Sequence, residues 1–186
     1  MKRFLSKFKP AVATLLICVS VGSVLSAEDE GSPGLLQALR EAGPDEGARL
    51  AERIRNEWAK SGSASMDLLL RRGREAIEAG DLDKAVEHLT ALTDHAPGFA
   101  EGWAARAMAF YRQEEFGLAL ADLEQALALN PDHFGAIQGL GAIMERLERP
   151  HLAWRAYEKV LALHPHHPQV LSAMERLERE VRGRDL

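Results

Sequence analysis

Cysteine is almost missing from this chain: of 186 residues only Cys18 is one, and it lies inside an apolar stretch near the N-terminus. Removal of that stretch would leave neither a disulfide nor a thiol nucleophile. Ile17 before Cys18 is also too large for a lipid-acceptor site. Basic residues are in deficit, 23 Lys and Arg against 28 Asp and Glu, for a net charge of −5. Long hydrophobic runs are lacking too: the uncharged stretch from Ala11 to Leu25 covers 15 residues, short of the roughly 20 that a membrane-spanning helix needs. No Gly-rich phosphate loop and no Gly-x-Ser-x-Gly occurs, so nothing proposes an enzyme, a cofactor or a small-molecule substrate.

What stands at the N-terminus is a pattern of export. Lys2, Arg3, Lys7 and Lys9 precede the apolar stretch, Ser26 and Ala27 follow it, and Glu28-Asp29-Glu30 comes next. A basic start, a short apolar region and small residues make a secretory signal peptide over residues 1–27. Its removal would leave 19 basic against 28 acidic residues, a net of −9. So acidic a chain is poorly matched to phosphate backbones, which excludes nucleic acid as the expected partner. A membrane enters only if the segment stays uncleaved. The expected location is exported and periplasmic.

The rest of the chain repeats itself. Pro97, Pro131 and Pro165 are spaced by 34 residues, and so are Ala85, Ala119 and Ala153. Gly73, Ala107 and Gly141 keep the interval, as do Leu89, Leu123 and Tyr157, and Leu69, Trp103 and Ile137. Five registers sharing one period define three units, 66–99, 100–133 and 134–167. Within a unit, positions 4, 7, 8 and 11 share one helix face, and positions 20, 24 and 27 share another. Each unit therefore reads as a helical hairpin. Positions 8 and 20 hold only Gly or Ala, which lets the two helices approach closely. The proline at position 32 cannot continue the second helix.

These residues are similar to the tetratricopeptide-repeat (TPR) family. The middle unit carries Trp103, Ala107, Phe110, Tyr111, Phe116, Ala119, Leu123, Ala126 and Pro131 at the family's signature positions. Arg72 and Arg106 depart from the pattern at position 7, usually Leu, and Pro150 opens the last unit's second helix. The resemblance implies an all-α superhelix of TPR type with a concave face and a protein partner.

The flanks suit such a stack. Val170, Leu171, Met174 and Leu177 form an apolar stripe in 168–186, as a C-terminal capping helix with a frayed tail would require. Upstream, in the flank 28–65, residues 34–42 and 46–60 read as helices broken at Gly43-Pro44. Ala51 lies 34 residues before Ala85, which favours a degenerate extra repeat over a loosely docked helix pair. The stretch from Ser61 to Ser65 reads as its linker, and 28–33 as unstructured.

Two clusters invite chemistry. His164, His166 and His167 stand within four residues, yet on positions 31, 33 and 34 they read as an exposed turn, with no catalytic or metal site expected. Paired carboxylates such as Asp122 and Glu124 read as solvated helix faces.

In the family, first-helix positions 2, 5, 9, 12 and 13 face the groove. Carried over, they are Asp67, Leu70, Arg74, Ile77 and Glu78, then Glu101, Ala104, Met108, Tyr111 and Arg112. The third unit supplies Gly135, Gln138, Ala142, Glu145 and Arg146, and the cap Arg176. Leu70, Met108 and Tyr111 would make an adaptable apolar patch. Arg74, Arg112, Arg146 and Arg176 would either ring it for an acidic partner segment or pair with Glu along the helices. The Lys and Asn with which some family members clamp acidic chaperone tails are replaced here by Leu70 and Arg74, Ala104 and Met108, Gln138 and Ala142. Two expectations follow: a protein-binding adaptor of the bacterial cell envelope, or a structural subunit tethered by an uncleaved N-terminus. The mature N-terminal residue separates them.

Overall fold

The computed structural model describes residues 32–184. The expected signal peptide over 1–27 lies outside the described residues. Nine helices and no strand are found among the described residues. They are α1 (Ser32–Glu41), α2 (Pro44–Trp58), α3 (Ala64–Ala79), α4 (Leu82–His95), α5 (Ala100–Arg112), α6 (Phe116–Leu129), α7 (Phe134–Arg146), α8 (Pro150–Leu163) and α9 (Pro168–Arg184). Ser32 and Pro33, expected to be unstructured, open α1, and α9 extends through the expected frayed tail to Arg184.

Helices α3 to α8 pair as three antiparallel hairpins, and α9 packs on α8. The small residues at positions 8 and 20 explain the close pairing. An ideal Cβ on Gly73 would stand 2.5 Å from Leu89 Cδ2, and one on Gly141 would stand 2.7 Å from Tyr157 Cδ1. Position 8 therefore meets position 24 of the same unit, and Ala85, Ala119 and Ala153 at position 20 are wholly buried. The residue before each repeat proline leaves the helical region, with φ near −133°, −139° and −137° at Ala96, Asn130 and His164. That is the steric effect of the following pyrrolidine ring. Pro150 occupies the first turn of α8, where its missing N–H costs nothing.

The arginine at position 7 of the middle unit, a departure from the family pattern, has its own partner. Arg106 Nε and Nη2 donate to Asp122 Oδ2 and Oδ1, both at 2.8 Å, and Nη1 donates to Thr93 Oγ1 at 2.8 Å. Its guanidinium also lies 4.9 Å from the Trp103 ring. Asp122 is thus buried and paired, not on a solvated face.

In the cap, Val170, Ala173 and Leu177 are buried and Met174 is partly so, whereas Leu171, placed on the stripe by sequence, is exposed. The correction is one of helix phase: Val170, Ala173 and Leu177 follow the i, i+3, i+7 face.

The N-terminal hairpin does not stack as a further repeat. In a repeat array α2 would pack along α3; instead α1 packs on α2 and on α8. Leu35, Leu36, Leu39, Leu50, Ala51 and Ile54 share one apolar cluster with Phe134, Val160, Leu163 and Val170. Helix α2 passes successive inter-unit turns: Gly47 at His164, Trp58 against His133 and Phe134, with ring centroids 4.8 and 5.0 Å apart. Ala59, just after α2, packs with the first unit's apolar residues. Trp58 is therefore a packing residue between the hairpin and the third unit. Trp103 and Trp154 are half-buried.

Candidate peptide-binding groove

The first helices of the units, α3, α5 and α7, lie side by side. Between α5 and α7 is a cavity of about 120 Å³ lined by Ala104, Met108 and Tyr111 on one side and Gly135, Gln138, Gly139 and Ala142 on the other. Six residues expected in the groove, Ala104, Met108, Tyr111, Gly135, Gln138 and Ala142, are thus brought together. Met108 is 47% exposed, and its flexible thioether can adapt to what lies against it. Leu123 and Ile143 close the floor. Gly139 was not singled out from sequence; only Leu123, at 3.5 Å, would meet a Cβ there.

A second cavity of about 270 Å³ continues towards the first unit, lined by Arg74, Ile77, Met108, Glu101, His133 and, from α2, Arg55. Arg55 belongs to no repeat, so no repeat register pointed to it.

Not every expected residue faces the groove. Leu70 is buried among Ala76, Leu89, Ala105 and Ala109, because the second unit covers the first unit's face more fully than the position rule assumes, whereas Ile77, in the same cluster, still reaches the second cavity. Glu101 is buried too: His133 Nε2 lies 2.9 Å from its Oε2, and Arg74 pairs with its other oxygen. His133 Nδ1 accepts from the Ala136 N–H at 3.1 Å as the cap of α7, so Nε2 is the protonated, donating nitrogen. Burial pushes the Glu101 carboxyl up, but the hydrogen bond from His133 and the charge of Arg74 outweigh it and hold it below the usual range. Asp67 accepts from Ser61 N–H and Oγ at 2.8 and 2.6 Å, bonds that lower its pKa and fasten the linker to α3.

The four arginines of the expected rim are all engaged. Besides Arg74, Arg112 Nη1 donates to the Ile77 carbonyl at 2.5 Å, a second donor to an oxygen that already accepts from the Gly80 N–H at the end of α3. Arg146 Nη2 meets Glu114 Oε1 at 2.5 Å and its guanidinium lies 5.3 Å from the Phe116 ring. Arg176 Nη2 donates to Glu145 Oε2 at 3.3 Å, while Tyr157 Oη donates to Glu145 Oε1 at 2.5 Å. These bonds run between neighbouring units, not along one helix. The arginines act as straps of the stack, and the open part of the groove is apolar with the Gln138 amide as its polar group.

The histidine turn also departs from expectation. His166 is exposed, but His164 and His167 are buried, their rings 5.0 Å apart. The hairpin covers His164: an ideal Cβ on Gly47 would stand 3.6 Å from its Nε2. Among the described residues no group of three His, Cys, Asp or Glu is placed to hold a metal ion. Nor is any described helix long and apolar enough to cross a membrane.

Comparison with known proteins agrees with this geometry. The family model described as Tetratricopeptide repeat matches residues 100–133. A TPR repeat-containing protein of Rhizobium etli is 33% identical over 129 residues, 69% of this chain and 63% of that protein. RNA polymerase II-associated protein 3 of Xenopus laevis is 31% identical over 59% of this chain and 17% of its own length. The chain thus spans less than two thirds of the length of these curated relatives. Among solved structures, the first TPR of Spaghetti (RPAP3), bound to an HSP90 peptide, superimposes with a TM-score of 0.61 at 26% identity, covering 64% of this chain and 94% of that one. TTC0263 of Thermus thermophilus, at 22% identity and a TM-score of 0.57, covers 81% and 83% and shares the fold. The hairpin stack described above is a tetratricopeptide-repeat superhelix, and its middle unit is a tetratricopeptide repeat by sequence as well as by shape.

Proposed function

We propose that this protein is a non-enzymatic protein-interaction module that holds a peptide or protein segment in the groove between α5 and α7. The observation that carries the reading is the cavity lined by Ala104, Met108, Tyr111, Gln138 and Ala142, with Met108 left open to solvent. It is apolar, narrow and built on rigid helices, which suits an apolar side chain of a partner anchored between two helices. Small residues on α7 allow the partner backbone to come close. Since Arg74, Arg112, Arg146 and Arg176 are bound to groups of neighbouring units, the partner is read as apolar with polar flanks, and not as an acidic tail.

Two solved neighbours support peptide binding as the activity of such a stack: the RPAP3 first TPR with its HSP90 peptide and the second TPR domain of human RPAP3 with its HSP70 peptide. With the export pattern at residues 1–27, the proposed setting is the bacterial cell envelope, as an adaptor in the periplasm.

Ala142→Trp fills the cavity from its α7 side and leaves the buried floor in place. It is expected to reduce at least tenfold the protein that copurifies with the tagged chain from its own cells, with an unchanged circular dichroism spectrum. Leu118→Trp, on the exposed side of α6, is expected to change nothing. Equal recovery with Ala142→Trp and the unaltered chain would remove the groove from the account.

A further inference from the structure

The N-terminal hairpin covers an imidazole, that of His164, with no hydrogen-bond partner on either nitrogen, and the His167 ring lies 5.0 Å from it. Nδ1 and Nε2 of His164 and Nδ1 of His167 are buried without a hydrogen bond. The hairpin and the third unit enclose His164: Gly47 of α2 lies against it, and the ring of Phe134 at the start of α7 lies 6.0 Å from it. The titratable and charged groups that face His164 are Arg55 from α2 and His166 and His167 from its own turn. Arg55 is also the charge that faces His167. Each of these is positive when charged, and Arg55 is itself paired with Glu52 of α2 at 2.6 Å. On α1, Arg40 reaches Asp132 at 4.0 Å, on the preceding turn.

A neutral imidazole fits this site, and an imidazolium does not. A buried cation without an acceptor is strongly disfavoured, and Arg55 adds like-charge repulsion. Releasing α1–α2 would return both rings to water. The cost of charging them is therefore a cost of holding the hairpin down.

We propose that the α1–α2 hairpin is an acid-released cover: it docks on the third unit and the cap while His164 and His167 are neutral, and lifts when they take up protons. Lifting uncovers the apolar face of Phe134, Val160, Leu163 and Val170 and withdraws Arg55 from the groove mouth. The device is independent of what the groove binds.

The direction follows from linkage. Burial, then His167, Arg55 and His166, lower His164 from 6.5 to about 4 in the docked state. A lowered pKa means that docking is at full strength above 6.5 and is lost as the pH falls towards 4. His167 is shifted the same way, burial being the larger cause and Arg55 the next. From His164 alone, docking at pH 5 should be about 30-fold weaker than at pH 8.

Amide hydrogen exchange on the full chain, corrected for the intrinsic effect of pH, tests this. Protection in α2 should fall by about 30-fold between pH 8 and pH 5, while protection in α5 and α6 is kept. The double substitution His164→Leu with His167→Leu should hold α2 protected at pH 5. If that variant does not fold, Arg55→Met serves instead: it should shrink the loss in α2 by raising the docked imidazole pKa towards its ordinary value. Unchanged α2 protection at pH 5 overturns the proposal. So does loss of α2 and α5 together, or a folded double variant that still releases α2.

Discussion

Asp122→Ala will lower the unfolding free energy by about 3–5 kcal/mol, because it leaves the Arg106 guanidinium buried without its counter-charge. The side chains of Arg106 and Asp122 are only 14% and 6% exposed, so water cannot replace the lost partner. The two parallel bonds at 2.8 Å define the geometry, and Thr93 Oγ1 takes a third donor. That hydroxyl cannot neutralise the charge. Replacing both partners with leucine should recover most of the loss, since a buried pair exchanged for apolar residues of similar size is often neutral. Urea denaturation of the two variants separates the cases: a large shift in midpoint for Asp122→Ala and a small one for the double leucine. Equal losses in both would mean that Arg106 is held by something other than Asp122.

Gly141→Ala is the second large effect, and its sign is opposite to helix propensity. Alanine normally stabilises a helix relative to glycine by about 1 kcal/mol. At Gly141 the new methyl would stand 2.7 Å from Tyr157 Cδ1, and the tyrosine cannot swing aside because its hydroxyl is bonded to Glu145 at 2.5 Å. The two helices must separate, at a cost of about 1–3 kcal/mol net. Gly73→Ala meets the fully buried Leu89 in the same way. Gly117 in α6 is the control: no atom lies within 4 Å of its ideal Cβ, so Gly117→Ala should stabilise. Thermal unfolding of the three variants should show two lowered midpoints and one raised. A raised midpoint for Gly141→Ala would show that position 8 is not a contact point.

The period of 34 was readable because each unit solves one local problem in one way. A proline ends the second helix, a small residue admits the crossing, and a large residue fills position 24. Those rules involve neighbours within one hairpin, and so they leave a mark on the sequence. The Arg106–Asp122 pair spans 16 residues of the same hairpin, yet it hid behind the composition: both residue types are common on exposed helices, and nothing in their spacing announces burial. The inter-unit straps were harder still. Arg74 with Glu101 and Arg146 with Glu114 join residues 27 and 32 positions apart, and an exposed arginine rim would have the same sequence.

The hairpin was the least legible part. Its apolar positions, Leu50, Ile54 and Trp58, recur at the helical interval, so the helix was readable but the surface it covers was not. That surface comes from residues at least 75 positions away, around Phe134 and His164. One alanine in phase with the repeats suggested stacking on the first unit, whereas the packing is on the third. The cover over His164 follows from the same docking. At the groove, Ala104, Met108, Tyr111, Gln138 and Ala142 were placed by repeat position alone and do share a cavity. Leu70, placed by the same rule, lies under the second unit.

The central proposal is that a partner segment lies between α5 and α7. A photo-crosslinking amino acid placed at Met108 or Gln138 in the producing cell, and at the exposed Leu118 and Leu129 for comparison, tests it most directly. The account predicts one discrete crosslinked protein from both groove positions, absent from the two α6 positions and lost when Ala142 is changed to tryptophan. Crosslinks that appear equally at Leu118 and Leu129, or that survive Ala142→Trp, would contradict it.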